Sequence, residues 1–259
     1  MLIESKQLAC KIEHATLLSD ISFTVAQGDY LSIVGPNGSG KSTLIRCLMG
    51  ILQPSAGELI LKGQPLHSYP RRALARQISY VPQAVQTQSM AFTVLDFVRM
   101  ARYAYHHPFS EWQPSDEAAV QQALEITHTT DFSCRQCNTL SGGELQRVMI
   151  ASALAQQSPL MLLDEPTTFL DPHHQVAVHQ LLQTLNQQHG MTIIEVTHDI
   201  NHASQHSQHI LALHQGQMMW HGQASEFMEA QRLYDLYQQD FIFVRHPQTG
   251  RLLALADES

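Results

Sequence analysis

The stretch Tyr30-Leu31-Ser32-Ile33-Val34-Gly35-Pro36-Asn37-Gly38-Ser39-Gly40-Lys41-Ser42 sets the architecture of this chain of 259 residues. Its second half fits the pattern G-x-x-x-x-G-K-[ST]. A short apolar run precedes the pattern, and Leu44, Leu48, Ile51 and Leu52 follow it at helical spacing. We therefore predict a strand, a loop whose backbone N–H groups surround a phosphate, and a helix.

Phosphate chemistry assigns roles within this loop. Lys41 is expected to reach the β- and γ-phosphates of a nucleotide, and the Ser42 hydroxyl to bind Mg²⁺. The predicted nucleotide-binding residues are Gly35, Pro36, Asn37, Gly38, Ser39, Gly40, Lys41, Ser42 and Thr43.

A pair of carboxylates supplies what a nucleotide-hydrolysing site needs besides the loop. Asp164 and Glu165 follow the apolar run Leu160-Met161-Leu162-Leu163, which is typical of a strand buried on both faces of a parallel sheet. Side chains at that end of a strand reach the ligand edge of the sheet. We expect Asp164 to hold Mg²⁺ through water and Glu165 to act as the general base toward the attacking water.

A second candidate anion site lies in Leu140-Ser141-Gly142-Gly143-Glu144-Leu145-Gln146. Ser141 and Glu144 have the spacing of a capping box, and the two glycines expose N–H groups at a helix start. A plain capped helix is the alternative explanation. A single nucleotide can contact both anion sites only if the two sites face each other across an interface.

Composition excludes several classes of protein. There are 15 Lys and Arg against 23 Asp and Glu, which gives a net charge of −8, and no basic stripe of the kind that nucleic-acid binders show. The apolar content of 44% excludes a disordered chain. No run of 18 apolar residues predicts a membrane span, and Met1 to Cys10 has no apolar signal core. We therefore expect a cytoplasmic location.

The order of the patterns predicts an α/β protein with a helical insert. Strand patterns flank a segment, from about residue 84 to 154, in which helical patterns prevail. The predicted organisation is a nucleotide-binding core with an antiparallel β part over residues 1–84 and 155–240, a helical subdomain over 85–154, and a tail over 241–259.

Together these motifs resemble the ATP-binding-cassette ATPases over nearly the whole chain. The resemblance implies a P-loop NTPase (RecA-like) core with a mainly parallel sheet, an N-terminal antiparallel part and an inserted helical subdomain. It implies that the signature residues Ser141, Gly142, Gly143 and Glu144 grip the γ-phosphate held by a second copy of the chain. It also implies that Gln83 senses Mg²⁺ and the γ-phosphate, that Asp171 in Thr168-Phe169-Leu170-Asp171 contacts the opposite subunit, and that His198 is the catalytic switch histidine. Where many members place an aromatic residue against adenine, this chain has Ile12, with His14 nearby.

Three segments are similar to importers of iron chelates, haem and cobalamin: 164–175, 93–103 and His246-Pro247-Gln248-Thr249-Gly250. This similarity implies an ATPase peripheral to the cytoplasmic face of the inner membrane, docked beneath a permease dimer and supplied by an external binding protein. An importer of a metal ion or molybdate, an exporter, a nucleotide-sensing regulatory module, and a soluble ATPase of DNA repair or translation remain alternatives.

Other clusters have an ordinary explanation beside a functional one. His198, His202, His206 and His209 would share one face of a helix and suggest a metal site, although such residues are also typical of a solvated face. Cys134 and Cys137 have redox-pair spacing but no second pair. The basic cluster Arg71, Arg72 and Arg76 could face anionic lipid or the permease, or be solvated.

Overall fold

The computed structural model describes residues 1–13, 15–83, 91–106, 110–248 and 250–257. His14 and residues 84–90 lie outside the described residues. The strands are β1 (Ile3–Ile12), β2 (Ala15–Val25), β3 (Tyr30–Val34), β4 (Ala56–Leu61), β5 (Gln64–Pro65), β6 (Ile78–Val81), β7 (Leu160–Asp164), β8 (Thr192–Val196), β9 (His209–His214), β10 (Gln217–Gln223), β11 (Phe241–Arg245) and β12 (Leu252–Ala256). The α-helices are α1 (Lys41–Leu48), α2 (Arg71–Ala75), α3 (Val94–Met100), α4 (Pro114–Ile126), α5 (Gly142–Ala155), α6 (Pro172–Gln187), α7 (Ile200–His206) and α8 (Ala230–Tyr237).

The chain divides into two compact units, Met1–Ser68 with Thr192–Ser259, and Tyr69–Met191. In the first unit, β1 pairs antiparallel with β2 and β4, and β3 pairs parallel with β8 and β9. Every residue of β3 is buried, the polar Ser32 included, as is typical of a central parallel strand. The prediction of an α/β fold with an antiparallel N-terminal part is confirmed.

The helix after the glycine-rich loop is shorter than its apolar pattern predicts. α1 ends at Leu48, and Ile51 is 62% exposed instead of lying on the helix. The chain turns at Gly50, whose φ of 67° is left-handed and whose N–H bonds to the Cys47 carbonyl. A glycine with that conformation is a common end for a helix, so the pattern beyond it carries no helical information.

In the second unit, β6 and β7 pair parallel, and α3, α4 and α5 pack around a separate apolar cluster. The cluster is formed by Val94, Val98, Val120, Ala123, Leu124, Cys137, Val148, Ala151 and Ala155. Beside it the buried Arg102 guanidinium contacts the Asp116 carboxylate, with Nε and Oδ1 2.9 Å apart. Among the described residues, no helix combines the length and the apolar character needed to cross a bilayer.

Candidate nucleotide-binding site

The phosphate loop joins β3 to α1, and close packing forces its backbone conformation. Gly35 has φ 144°, and a Cβ there would lie 2.0 Å from the carbonyl oxygen of Leu213. Gly40 caps α1 with φ 104°, and a Cβ there would lie 2.7 Å from Leu18 Cδ2. Both positions therefore require glycine, because any side chain would collide with a neighbouring strand or force strain on the loop.

Lys41 stands at the first position of α1 and folds back over the loop. Its Nζ donates to the carbonyls of Gly35 at 2.8 Å and Pro36 at 3.0 Å, and the residue is only 6% exposed. Ser39 Oγ is buried, with no hydrogen-bond partner in the part of the chain that the structure describes. Ser42 is exposed and Thr43 half-buried in the first turn of α1. A buried ammonium at a helix N-terminus, beside an unsatisfied hydroxyl, is a setting that favours an anion.

The carboxylates Asp164 and Glu165 lie in the second unit, at the end of β7. The hydroxyl of Tyr80 on β6 lies 3.5 Å from Asp164 Oδ2. Glu165 has a φ of 49°, in the left-handed region that non-glycine residues seldom adopt. Its Oε2 accepts hydrogen bonds from the Gln83 amide and, at 3.2 Å, from Thr168 Oγ1. Backbone strain of this kind persists where surrounding contacts hold it, and it is common at reaction centres.

The predicted capping box forms at the start of α5. Ser141 Oγ accepts from the Glu144 N–H at 3.3 Å, and Glu144 Oε2 accepts from the Ser141 N–H at 2.8 Å. The Ser141 N–H bond is the main cause that lowers the pKa of Glu144, and the guanidinium of Arg135, 2.9 Å from Glu144 Oε1, acts in the same direction. Glu144 is therefore held as a carboxylate that anchors the helix start, while Ser141 and Gly142 remain exposed.

Asp171 is tied to the same region through α6. Its carboxylate caps α6 by accepting from the His174 N–H at 3.0 Å, and its other oxygen lies 2.7 Å from His174 Nδ1. These contacts lower the pKa of Asp171, and the hydrogen bond from the His174 backbone N–H is the largest cause. The His174 ring in turn occupies the space beside Gly143, where a Cβ would lie 1.9 Å from its Cδ2. Gly143 and Asp171 are thus connected through one imidazole.

His198 lies in the first unit, between β8 and α7, with an exposed side chain. The Thr197 N–H donates to the Ile33 carbonyl at 3.1 Å, and the Asp199 N–H donates to Thr197 Oγ1 at 3.1 Å. The chain is therefore held to β3 on one side of His198 and closes a local turn on the other, where Asp199 leads into α7.

The histidine cluster does not form the arrangement that its spacing suggests. Only His202 and His206 lie on α7, since His198 precedes the helix and His209 begins β9. His202 is buried, with Nε2 3.5 Å from Oε2 of the fully buried Glu195, which also accepts from Tyr30 Oη at 2.5 Å. The prediction of four histidines on one helix face is therefore wrong.

The remaining candidates have ordinary structural settings. Cys134 is exposed and Cys137 buried, and both are free thiols. Arg72 and Arg76 each donate from Nε to the Ala104 carbonyl, at 2.9 and 2.8 Å, so both brace the turn at Ala101–Tyr105. Ile12, at the end of β1, is 46% exposed.

Three residues to which the sequence motifs assign no such contact support the elements described above. Thr168 contacts Glu165, His174 fills the space beside Gly143, and Asn201 bonds to the C-terminal strand β12. Asn201 carries no local signal, because its partner Ala254 is 53 residues away in the chain. His174 has a weak local signal, because it stands three residues after Asp171, a candidate helix cap.

Comparison with known proteins agrees with this geometry. Residues 18–168 match the family model described as ABC transporter. The chain is 34% identical over 253 residues to the petrobactin import ATP-binding protein FpuD of Bacillus anthracis, covering 98% of this chain and 92% of the relative. It is 34% identical to the ferric enterobactin transport ATP-binding protein FepC of Escherichia coli (98% and 93% covered), and 38% to the hemin import ATP-binding protein HmuV of Thermobifida fusca (93% and 83% covered).

Solved structures show the same fold. One chain of an inward-facing ABC transporter of metal-chelate type matches with a TM-score of 0.85 and 28% identity, covering 99% of this chain and 96% of that one. A dimeric ATP-binding cassette, MJ0796, bound to ADP and Pi matches with a TM-score of 0.73 and 27% identity, covering 86% and 99%. These matches agree with the phosphate loop, the carboxylates after β7 and the capped signature helix. The chain therefore belongs to the ABC transporter family, as an ATP-binding cassette.

Proposed function

We propose that this chain is the ATP-hydrolysing subunit of an importer that takes up an iron chelate such as a siderophore, or haem. The observation that carries the proposal is the similarity to import ATP-binding proteins over nearly the full chain, combined with the phosphate loop, the carboxylate pair and the signature segment. Cobalamin, a metal ion and molybdate are the competing cargoes, because the ATPase itself has no contact with the cargo.

In this proposal the phosphate loop binds ATP with Mg²⁺. Lys41 releases the loop carbonyls and pairs with the β- and γ-phosphates, while the N–H groups at the start of α1 bind phosphate oxygens. Ser42, Asp164 and Gln83 offer a hydroxyl, a carboxylate and an amide oxygen, the hard donors that Mg²⁺ prefers. The ion, when bound, neutralises phosphate charge, so these residues serve to place the nucleotide.

Hydrolysis is assigned to Glu165 as general base and His198 as a contact to the γ-phosphate. The Gln83 amide and the Thr168 hydroxyl both donate to Glu165, so they orient its carboxylate. An ionised carboxylate is able to accept the proton of an attacking water, a contribution worth about 10²- to 10⁴-fold in rate.

Two copies of the chain are proposed to close head to tail, with nucleotide between the phosphate loop of one and the signature of the other. The capped start of α5 supports this role, because Ser141 and Gly142 are exposed there and a helix N-terminus attracts phosphate. The likeness to a dimeric cassette bound to ADP and Pi supports it as well. Asp171 is assigned to the contact between the copies.

The permease is proposed to dock on a groove in the second unit. The groove has a volume of about 580 Å³ and is lined by Phe92, Asp96, Arg99, Met100, Tyr103 and Trp112. Exposed aromatic side chains are typical anchors at protein interfaces, and Tyr103 is 69% exposed. Docking there would hold the chain at the cytoplasmic face of the membrane, with a binding protein delivering cargo from outside.

Uptake by a reconstituted system tests the proposal. The chain is produced with the membrane proteins encoded beside its gene, in cells without their own chelate uptake, and entry of a radiolabelled ferric siderophore is measured. We expect uptake that Glu165→Gln abolishes and that Glu125→Gln, an exposed carboxylate on α4, leaves intact. Uptake of molybdate or free metal instead of chelate would contradict the cargo. Siderophore uptake that survives Glu165→Gln would contradict the mechanism.

A further inference from the structure

The loop that carries His198 has one fixed end and one end that depends on α7. Toward β8, the Thr197 N–H is bonded to the Ile33 carbonyl of the central strand β3. Toward α7, Asp199 caps the helix by accepting from the His202 N–H at 2.8 Å. α7 spans only Ile200–His206, and a helix of two turns is not stable without tertiary contacts. The position of His198 therefore depends on what holds α7.

The C-terminal hairpin formed by β11 and β12 holds α7 by a two-way hydrogen bond. Asn201 Nδ2 donates to the Ala254 carbonyl at 3.0 Å, and Asn201 Oδ1 accepts from the Ala254 N–H at 2.8 Å. A carboxamide provides a donor and an acceptor at once, so this side chain pairs with β12 as a neighbouring strand would. The hairpin is thereby joined to α7 two residues from the end of the His198 loop.

Apolar packing reinforces the same connection and extends it to the phosphate loop. Ile200 and Ala203 of α7 share one buried cluster with Ala254 of β12. Val34, the residue before the phosphate loop, belongs to this cluster, and so does Leu236 of α8, whose carbonyl lies 2.7 Å from His214 Nδ1. One packed C-terminal region therefore contacts the elements that carry both His198 and the loop.

We propose that Asn201 is a positioning residue for ATP hydrolysis, and that the C-terminal hairpin acts through it to hold His198 in place. The inference rests on the proposed role of His198 toward the γ-phosphate. Asn201 itself touches no reacting atom. Losing its two bonds separates α7 from β12 and lets the start of α7 shift, although His202 still contacts Glu195. A displacement of about 1 Å at a reacting group costs up to about 100-fold in rate.

The test compares ATP hydrolysis by the full chain and by Asn201→Ala. Ser204→Ala is the matched control, because Ser204 lies on the same helix and its hydroxyl donates within that helix, to the Asn201 carbonyl at 3.0 Å. We expect Asn201→Ala to lower kcat about tenfold with KM within about twofold, and Ser204→Ala to change neither. A kcat for Asn201→Ala within twofold of the parent would overturn the proposal.

A cycle with His198→Ala separates positioning from a general structural effect. If Asn201 acts through His198, Asn201→Ala lowers kcat much less in the His198→Ala background than in the parent. An equal loss in both backgrounds overturns the inference and leaves the proposed function standing. A His198→Ala protein with unchanged kcat refutes the proposed role of His198 itself. If Asn201→Ala does not fold, Asn201→Gln, which keeps a donor and an acceptor but places them one methylene farther out, goes through the same cycle with a smaller expected loss.

Discussion

Replacing Gly143 by alanine tests the packing of the signature helix. A Cβ at Gly143 would lie 1.9 Å from Cδ2 and 2.3 Å from Cγ of His174, far inside any contact distance. These are atoms of a ring close to its backbone, so relief requires the whole side chain to move. The neighbouring Gly142 is a natural control, because the nearest atom to its added Cβ is Leu170 Cδ2, at an ordinary 3.5 Å.

The expected cost follows from two opposing effects. Forcing an extra methyl into a packed site costs about 1–3 kcal/mol, and moving His174 also breaks its 2.7 Å contact with Asp171. Alanine in place of a helical glycine regains up to about 1 kcal/mol at either position. We expect Gly143→Ala to lose about 2 kcal/mol, a fall in Tm of about 4–8 °C. Gly142→Ala should keep the parent Tm or raise it slightly.

Thermal unfolding of the full chain provides the assay, and His174→Ala provides the decisive background. Without the imidazole the clash disappears, so Gly143→Ala should cost at least about 1 kcal/mol less in the His174→Ala protein than in the parent. Equal Tm values for the Gly142→Ala and Gly143→Ala proteins would contradict a steric clash at Gly143. So would a cost for Gly143→Ala that is the same with and without His174.

Three further substitutions test phosphate binding, a buried ion pair and a buried histidine. Lys41→Ala should weaken binding of a fluorescent ATP analogue by about 10- to 100-fold in titration, because a charge-assisted phosphate contact is lost. Arg102→Met should lower the free energy of unfolding in urea by about 3 kcal/mol, because it leaves the buried Asp116 carboxylate without its guanidinium. Burial, reinforced by the nearby His202, lowers the pKa of His206 to about 4. Between about pH 6.5 and pH 4 the unfolded chain therefore binds a proton at His206 that the folded chain does not bind. The stability of the folded chain falls as the pH falls through this range. The Tm of His206→Gln should therefore decrease less between pH 7 and pH 5 than the Tm of the parent. An identical decrease in both proteins would contradict the lowered pKa of His206.

Local patterns with short-range causes could be predicted from the sequence. The phosphate loop lies between β3 and α1 because the apolar run, the glycines and the helical spacing all occur within about twenty residues. The Ser141 and Glu144 box could be predicted for the same reason, since its two bonds join residues three apart.

What could not be predicted depends on contacts between distant segments. Glu165 has a left-handed backbone and a side chain bonded to Gln83, 82 residues earlier, and no local pattern indicates either feature. The histidines at 198–209 misled for a related reason, because their spacing assumes one continuous helix, whereas Ser207 ends α7 and His209 belongs to β9. Periodicity gives the face of a helix only where the helix exists.

The central claim is that Glu165 activates water in a nucleotide site that two copies of the chain complete. The most direct measurement is light scattering coupled to size exclusion on Glu165→Gln with ATP and Mg²⁺, with Ser141→Arg added to Glu165→Gln as the control. We expect a species of twice the 29.1 kDa chain mass for Glu165→Gln, hydrolysis lowered by at least about 100-fold, and no such species when Ser141 is also replaced. A Glu165→Gln protein that binds ATP yet stays monomeric, or that hydrolyses it at the parent rate, would contradict the account.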